Sequence, residues 1–488
     1  MVNRDERPAL NLLSTAYLLL PVLLFLVGYL RWYYGIPLAA VLVVLLVLEA
    51  PRRWPAAWPR PAVPVIVLLL VWTALSGLGG LGYQNHDYQK HNGILKTLVE
   101  QPWPPVLADC GSDGQDCPLL YYVGFYLPSA TVGRLWGWSA ANHAFFLYGL
   151  VGVLLAARWF QELSGRKGWL VVLYFVLFSG LDFLGYWAGS RSLPPLGQHL
   201  EPWPHLYCQF NSMTVALFWV PQHALPAWLT TAMVLDRVTR LGTVRGLWCL
   251  GALLLLFSPL VAAGLMPFLL YATWQCRGRG LWSPANLGAA CLLVPVLAAY
   301  YASSALHAVH GPLWAFVNLP HRLPGLVAFY LLELAPFAYL YWRRPSRDLP
   351  DTDRGWFCLA VVVLLGLPLY VFGYYGDLCL RGSMPAMFVV AVWTARTAAQ
   401  WLAAPGWRRW VFVTIFAVGS LTAGEEIWRS LSHYGWRVPD PASVKNPALL
   451  EPRRFVGSQY QGRKDAFFFR YLAKPACGAA AFARQRGS

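Results

Sequence analysis

Charge is what this chain most conspicuously lacks. Only 12% of its 488 residues are Asp, Glu, Lys or Arg, against about 25% in a soluble domain, while 57% are hydrophobic. A soluble chain of this length needs a far more polar surface to cover its core, which excludes a soluble enzyme and a disordered scaffold. Acidic residues are scarcest, 22 against 38 Lys and Arg, for a net charge of +16. In a membrane chain such an excess fixes topology from the loops and favours anionic lipid headgroups, not nucleic acid, as partners. The nine cysteines include no CxxC pair, which removes the usual structural zinc spacing. The first apolar run has no small-residue cleavage site and leads directly into another, so it reads as a retained span. The two halves show none of the self-similarity that many transporters carry.

What is present is a series of apolar runs of membrane-crossing length. They fall at about 10–30, 36–50, 63–82, 140–158, 168–186, 213–235, 285–305, 325–342, 355–375, 385–403 and 409–424. A further run at 247–275 is too long for one span and is interrupted at Ser258-Pro259, so it reads as two short helices entering and leaving. The expected fold is an all-α polytopic membrane protein with about 13 transmembrane helices, or 11 if the 247–275 hairpin is re-entrant. The expected organisation is a transmembrane domain over 1–424, with a large outer loop at 83–138, and an outer-face tail over 425–488.

With the N-terminus inside, inner segments carry 19 Lys and Arg and outer loops seven, with one in a span and eleven in the tail. That bias sets the orientation. All ten histidines then fall in outer loops, at outer span ends or in the tail. Aromatic polar residues suit any interface, but a wholly one-sided set points to polar chemistry on the outer face.

The loop at 83–138 is the most informative segment. It opens with Tyr83-Gln-Asn-His-Asp-Tyr-Gln-Lys-His-Asn92 and continues into Ile94, Leu95, Leu98 and Val99, one apolar helical stripe suited to lying on a membrane surface. Pro102-Trp-Pro-Pro105 stops that helix. Cys110 and Cys117 bracket a polar turn and are expected to form a disulfide in an oxidising compartment. Pro118–Trp136 reads as a second, aromatic interfacial helix. Asp87, flanked by His86, Tyr88, Lys90 and His91 where a span emerges, suits a general base acting on a hydroxyl. The same position also suits an N-cap of the surface helix.

Other ionisable groups lie within apolar runs or at their outer ends, where they are costly and mark candidate functional positions. They are Asp182, Glu333, and Asp377 with Arg381, the last two spaced to pair on one helical face. Arg381 alternatively suits a phosphate, as does Arg322. Trp219-Val-Pro-Gln-His-Ala-Leu-Pro226 places His223 between two prolines, a broken helix of the kind tolerated at membrane depth beside a polar cavity. The loop Gln198-His-Leu-Glu-Pro-Trp-Pro204 offers groups suited to a sugar, although it also fits an ordinary interfacial aromatic belt. His86, Asp87 and His91, or His307 with His310, have spacing compatible with a divalent metal, but spacing alone is weak and no metal ligand is assigned.

A span ending in an outer loop with an acidic residue at its start, followed by interfacial helices and many spans, resembles the GT-C superfamily of membrane glycosyltransferases. The residue-level likeness is confined to His86-Asp87-Tyr88. The chain departs from the pattern in placing two spans before that loop, and Tyr88 stands where the Asp-Asp variant has a second acid. The resemblance implies a polyprenyl-phosphate-linked sugar donor, a glycan or lipid acceptor, Asp87 as catalytic base, inversion at the anomeric carbon, and no cofactor. His86, Tyr88, Lys90, His91, Asp182, His223, Arg322, Asp377 and Arg381 are then the expected substrate-binding residues. The implied location is a bacterial inner membrane with the site facing the periplasm or cell exterior. Two alternatives stay open: an outer-face polymerase or ligase of lipid-linked glycans, led by cationic and histidine residues, and a transporter or flippase lined by Asp182, Glu333 and Arg396.

Overall fold

The computed structural model describes residues 7–49, 61–110, 115–305, 308–345, 351–444 and 460–475. Among them helices dominate, and the only sheets are two antiparallel pairs, Val106–Cys110 with Gln115–Pro118 and His310–Pro312 with Tyr370–Phe372. Seven helices are long and apolar enough to cross a membrane: Arg7–Tyr29, Trp32–Glu49, Leu127–Ser164, Trp169–Ser190, Pro284–Tyr301, Asp377–Ala403 and Trp407–Ser432. Leu319–Glu333 and Ala335–Trp342, bent by 41° at Leu334, make an eighth if they are one span.

Among the described residues seven or eight helices thus meet that test of length and composition, fewer than the about thirteen crossings expected from the apolar runs. The runs do form helices, but several are cut short. Val63–Leu75 has 13 residues, and the 213–235 run divides into Met213–Trp219 and Pro221–Leu241 around the non-helical Val220. The 247–275 run divides at Ser258-Pro259 as the sequence predicts, into Leu247–Leu255 and Pro259–Gln275. Ser258 caps the second piece by accepting from the Val261 N–H, and Pro259 starts it where no N–H is needed.

The second interfacial helix also differs from expectation. It begins at Leu127, not Pro118, and continues into the span that ends at Ser164, with a bend at Gly137. Gly137 sits at φ 86°, a conformation that strongly favours glycine, so the first ten residues can turn away from the span axis. The preceding segment is non-helical and buried because it is pinned across the bundle: Tyr121 N–H donates to the Tyr300 hydroxyl, which donates back to the Tyr121 carbonyl. The Cys110–Cys117 disulfide is formed and closes the hairpin before it.

Buried polar contacts fix the long helices to one another. Trp159 Nε1 donates to Ser14 Oγ, Tyr17 stacks on Tyr148 at 4.3 Å, and Trp72 Nε1 donates to Thr214 Oγ1. At one end of Pro221–Leu241 stand Gln222 and His223; at the other stand Asp236 and Arg240, joined by Arg7 and Arg158–Glu162 in an ion-pair network. The tail returns to the first of these ends. Leu120 N–H donates to the Tyr460 carbonyl, Lys474 N–H to the Tyr29 carbonyl, and Phe468 is fully buried among Phe25 and Tyr300. His307 lies outside the described residues.

Candidate functional site

The turn that delivers Asp87 is built from glycines and amides. Gly77 has φ +88°, and a Cβ there would meet the Tyr83 carbonyl oxygen at 2.8 Å; Gly82 has φ +70° and would meet that of Ala74 at 2.6 Å. Both the backbone conformation and the space therefore call for glycine. Amides then tie the turn down: Gln84 Nε2 donates to the Gly77 carbonyl, and Asn92 Nδ2 to Gln84 Oε1. The helix Asp87–Glu100 starts on Asn85, whose Oδ1 accepts from the Asp87 N–H at 3.0 Å while its Nδ2 donates to the Phe218 carbonyl at 2.8 Å. Asn85 thus does the capping that Asp87 was an alternative candidate for, and the Asp87 carboxylate points elsewhere.

That carboxylate meets Lys90 Nζ at 2.6 Å, with 27% of the Asp87 side chain still exposed. Burial alone would raise its pKa, but the Lys90 and Arg381 charges outweigh it and hold the carboxyl below its ordinary value. It is ionised at neutral pH. His91 makes two bonds: Nε2 at 3.0 Å from the Trp219 carbonyl and Nδ1 at 2.6 Å from the Tyr126 hydroxyl. A carbonyl can only accept, so Nε2 bears the proton and Nδ1 accepts from Tyr126. Burial, reinforced by the Lys90 charge, pulls His91 down to about 4, consistent with that neutral tautomer. Its geometry makes it a strut between two elements.

Arg381 faces the same region. It pairs with Asp377 at 3.1 Å and lies 5.9 Å from the centre of the Tyr122 ring, and the other edge of that cluster is His223, whose ring is 5.4 Å from Tyr122. Gln222 and His223 are fully buried in the first turn of Pro221–Leu241. Neither ring nitrogen of His223 has a hydrogen-bond partner, and the Gln222 amide, although close to Tyr121, makes no bond of ordinary geometry. Arg381 Nε is likewise unpartnered. Buried polar groups left open in this way are costly unless something fills the space between them.

No family model matches the chain, and no curated protein or solved structure was found similar to it. What the site can do is read from its geometry. An ionised, partly accessible carboxylate stands near a buried guanidinium, and neutral polar groups without partners line a helix N-terminus, where the backbone also favours negative charge. Such a set suits an anion held beside a base.

Six of the expected residues are thus brought into one neighbourhood: Asp87, Lys90, His91, His223, Asp377 and Arg381. Four are placed elsewhere. His86 and Tyr88 line a cavity of about 460 Å³ beside the turn, and although the Tyr88 ring packs on His91 at 5.2 Å, its hydroxyl is spent on the Ser76 carbonyl. Asp182 is buried against Glu333, whose Oε1 accepts from Trp203 Nε1 at 3.4 Å. Arg322 is exposed beside His205. Among the described residues no group of three or more His, Cys, Asp or Glu is placed to hold a metal ion.

Two features went unread in the sequence. One is the tyrosine set Tyr121, Tyr122 and Tyr126, which looked like part of an aromatic interfacial helix; a buried tyrosine's need for a hydroxyl partner was the available signal. The other is His199, which lies 2.6 Å from Glu201 and bonds Glu426 on the distant Trp407–Ser432 helix. Burial lowers a histidine's pKa, but these two carboxylates outweigh it and raise His199 to about 9. Glu426 also accepts from Trp219 Nε1 at 3.2 Å, so this cluster fixes the residue whose carbonyl receives His91.

Proposed function

We propose that this protein is a membrane glycosyltransferase that moves a sugar from a polyprenyl-phosphate donor to an acceptor hydroxyl, with Asp87 as the base. The observation that carries the reading is the ionised Asp87 carboxylate beside Arg381 and the unpartnered His223. Asp87 Oδ2 is held by Lys90, which leaves Oδ1 to take the acceptor proton. As that proton moves, the acceptor oxygen bonds to the anomeric carbon and the bond from that carbon to the phosphate oxygen breaks. The phosphate leaves with the electron pair, and Arg381 with the Gln222 and His223 side chains offsets its charge. A single carboxylate acting from the face opposite the leaving group gives inversion. The proposed setting is a bacterial inner membrane with this end of the bundle towards the periplasm.

One observation favours a transporter instead: Asp182 and Glu333 are both buried within apolar helices. Their contact with each other and with Trp203 explains them equally as a structural pair. Membrane vesicles supplied with polyprenyl-phosphate-linked hexoses separate the readings. Wild type should form a glycosylated product and Asp87→Asn, expressed to the same level, should not; full transfer by Asp87→Asn refutes the assignment.

A further inference from the structure

The end of the bundle remote from Asp87 holds a second concavity that the sugar chemistry leaves unused. A groove of about 420 Å³ is bordered by Arg7–Tyr29, Trp32–Glu49 and the end of Pro221–Leu241. Leu12, Leu19, Val43, Leu46 and Val47 form its apolar walls, and Arg237, Arg240 and Arg245 stand at its polar end. Among the described residues that line it, Glu49 is the only carboxylate against three arginines. The arginines are oriented by their neighbours: Arg240 by Asp236 at 3.3 Å, Arg245 by Glu49 at 3.4 Å, and Arg237 by the Arg245 carbonyl at 2.5 Å. A guanidinium has five N–H groups, so one such contact on Arg237 or Arg245 does not exhaust it.

Two further observations bear on what fills the groove. Asn11 also lines it; its Nδ2 donates to Asp236, while its Oδ1 is a buried acceptor with no partner. An ionised phosphodiester has no proton to offer Oδ1, whereas a headgroup hydroxyl has one. The outer side of Trp32–Glu49 is apolar and uncovered, with Val44 56% and Val47 65% exposed, so the groove opens where acyl chains lie around a membrane-spanning helix.

We propose that this groove binds an anionic glycerophospholipid, its phosphate on the arginines, its headgroup hydroxyl on Asn11 Oδ1 and an acyl chain along the aliphatic walls. Basic pockets between membrane helices recognise anionic headgroups by this combination of charge and apolar burial. The site is at the opposite end from Asp87 and does not depend on the glycosyltransferase reading.

The test uses the purified full chain in nanodiscs of phosphatidylcholine with added phosphatidylglycerol, with retained lipid counted by native mass spectrometry. Wild type should retain phosphatidylglycerol in preference to phosphatidylcholine. Arg240→Gln with Arg245→Gln should weaken that retention about tenfold, and Leu12→Trp, which fills the groove without changing charge, should weaken it too. Equal retention of the two lipids by wild type overturns the proposal without recourse to any variant. Unchanged retention in both variants also overturns it, as does stabilisation by inorganic phosphate equal to that by the lipid, which would indicate a free-phosphate site.

Discussion

Asn85 is the residue on which the placement of Asp87 turns, and its removal has a calculable cost. The side chain is 5% exposed and makes two bonds to backbone groups, accepting from the Asp87 N–H and donating to the Phe218 carbonyl. Asn85→Ala removes both and leaves a donor and an acceptor without their partners in a poorly hydrated place. Each bond contributes about 1 kcal/mol net, and each stranded group costs about 1–3 kcal/mol more if water does not reach it. Partial hydration from the cavity beside the turn brings the expected loss to about 2–4 kcal/mol. Asn85→Asp keeps an acceptor for the Asp87 N–H but turns an oxygen towards the Phe218 carbonyl, so it too should melt below wild type. Thermal melting of the three purified proteins in one detergent, read alongside sugar transfer, measures both consequences. An alanine variant that melts with wild type and transfers sugar normally would refute the idea that Asn85 sets the start of the helix.

Three further outcomes are expected. Lys90 holds the Asp87 carboxyl down, so its folded pKa lies below the ordinary value and the base is lost only as pH falls through that lowered pKa; Lys90→Met should move the acid limb of the pH–rate profile to higher pH, and an unmoved limb would contradict the ion pair's role. His199 has its pKa raised to about 9, so its contribution to stability is complete below the unfolded value of about 6.5 and disappears as pH rises through about 9; melting temperature should drop over that window in wild type and stay flat in His199→Gln. Opening the Cys110–Cys117 loop by the double Cys→Ser change should cost about 2–3 kcal/mol by loop entropy, seen as a lower melting temperature that reductant reproduces in wild type.

Apolar runs revealed the helices but not where they break, because hydropathy does not register a break such as Val220 or Leu334 when the residues on both sides stay apolar. Local spacing was enough for the Lys90–Asp87 and Arg381–Asp377 pairs, since three- and four-residue separations share a helix face. It was not enough for Tyr88, which follows Asp87 directly while its own hydroxyl turns inward to Ser76. The meeting of His223 with Tyr122 joins positions far apart in the chain, and the His199–Glu426 contact spans still more of it. Proline in Pro221-Gln-His-Ala-Leu-Pro226 marked a broken helix, yet only packing shows what faces the break.

Where a lipid phosphate binds decides whether Asp87 can act as the proposed base. A cryo-electron microscopy map of the full chain with added polyprenyl phosphate should show the phosphate within hydrogen-bonding reach of Arg381 and His223, with Asp87 Oδ1 open beside it. Phosphate density that lies away from this cluster, with Asp87 sealed from it, would contradict the proposed chemistry.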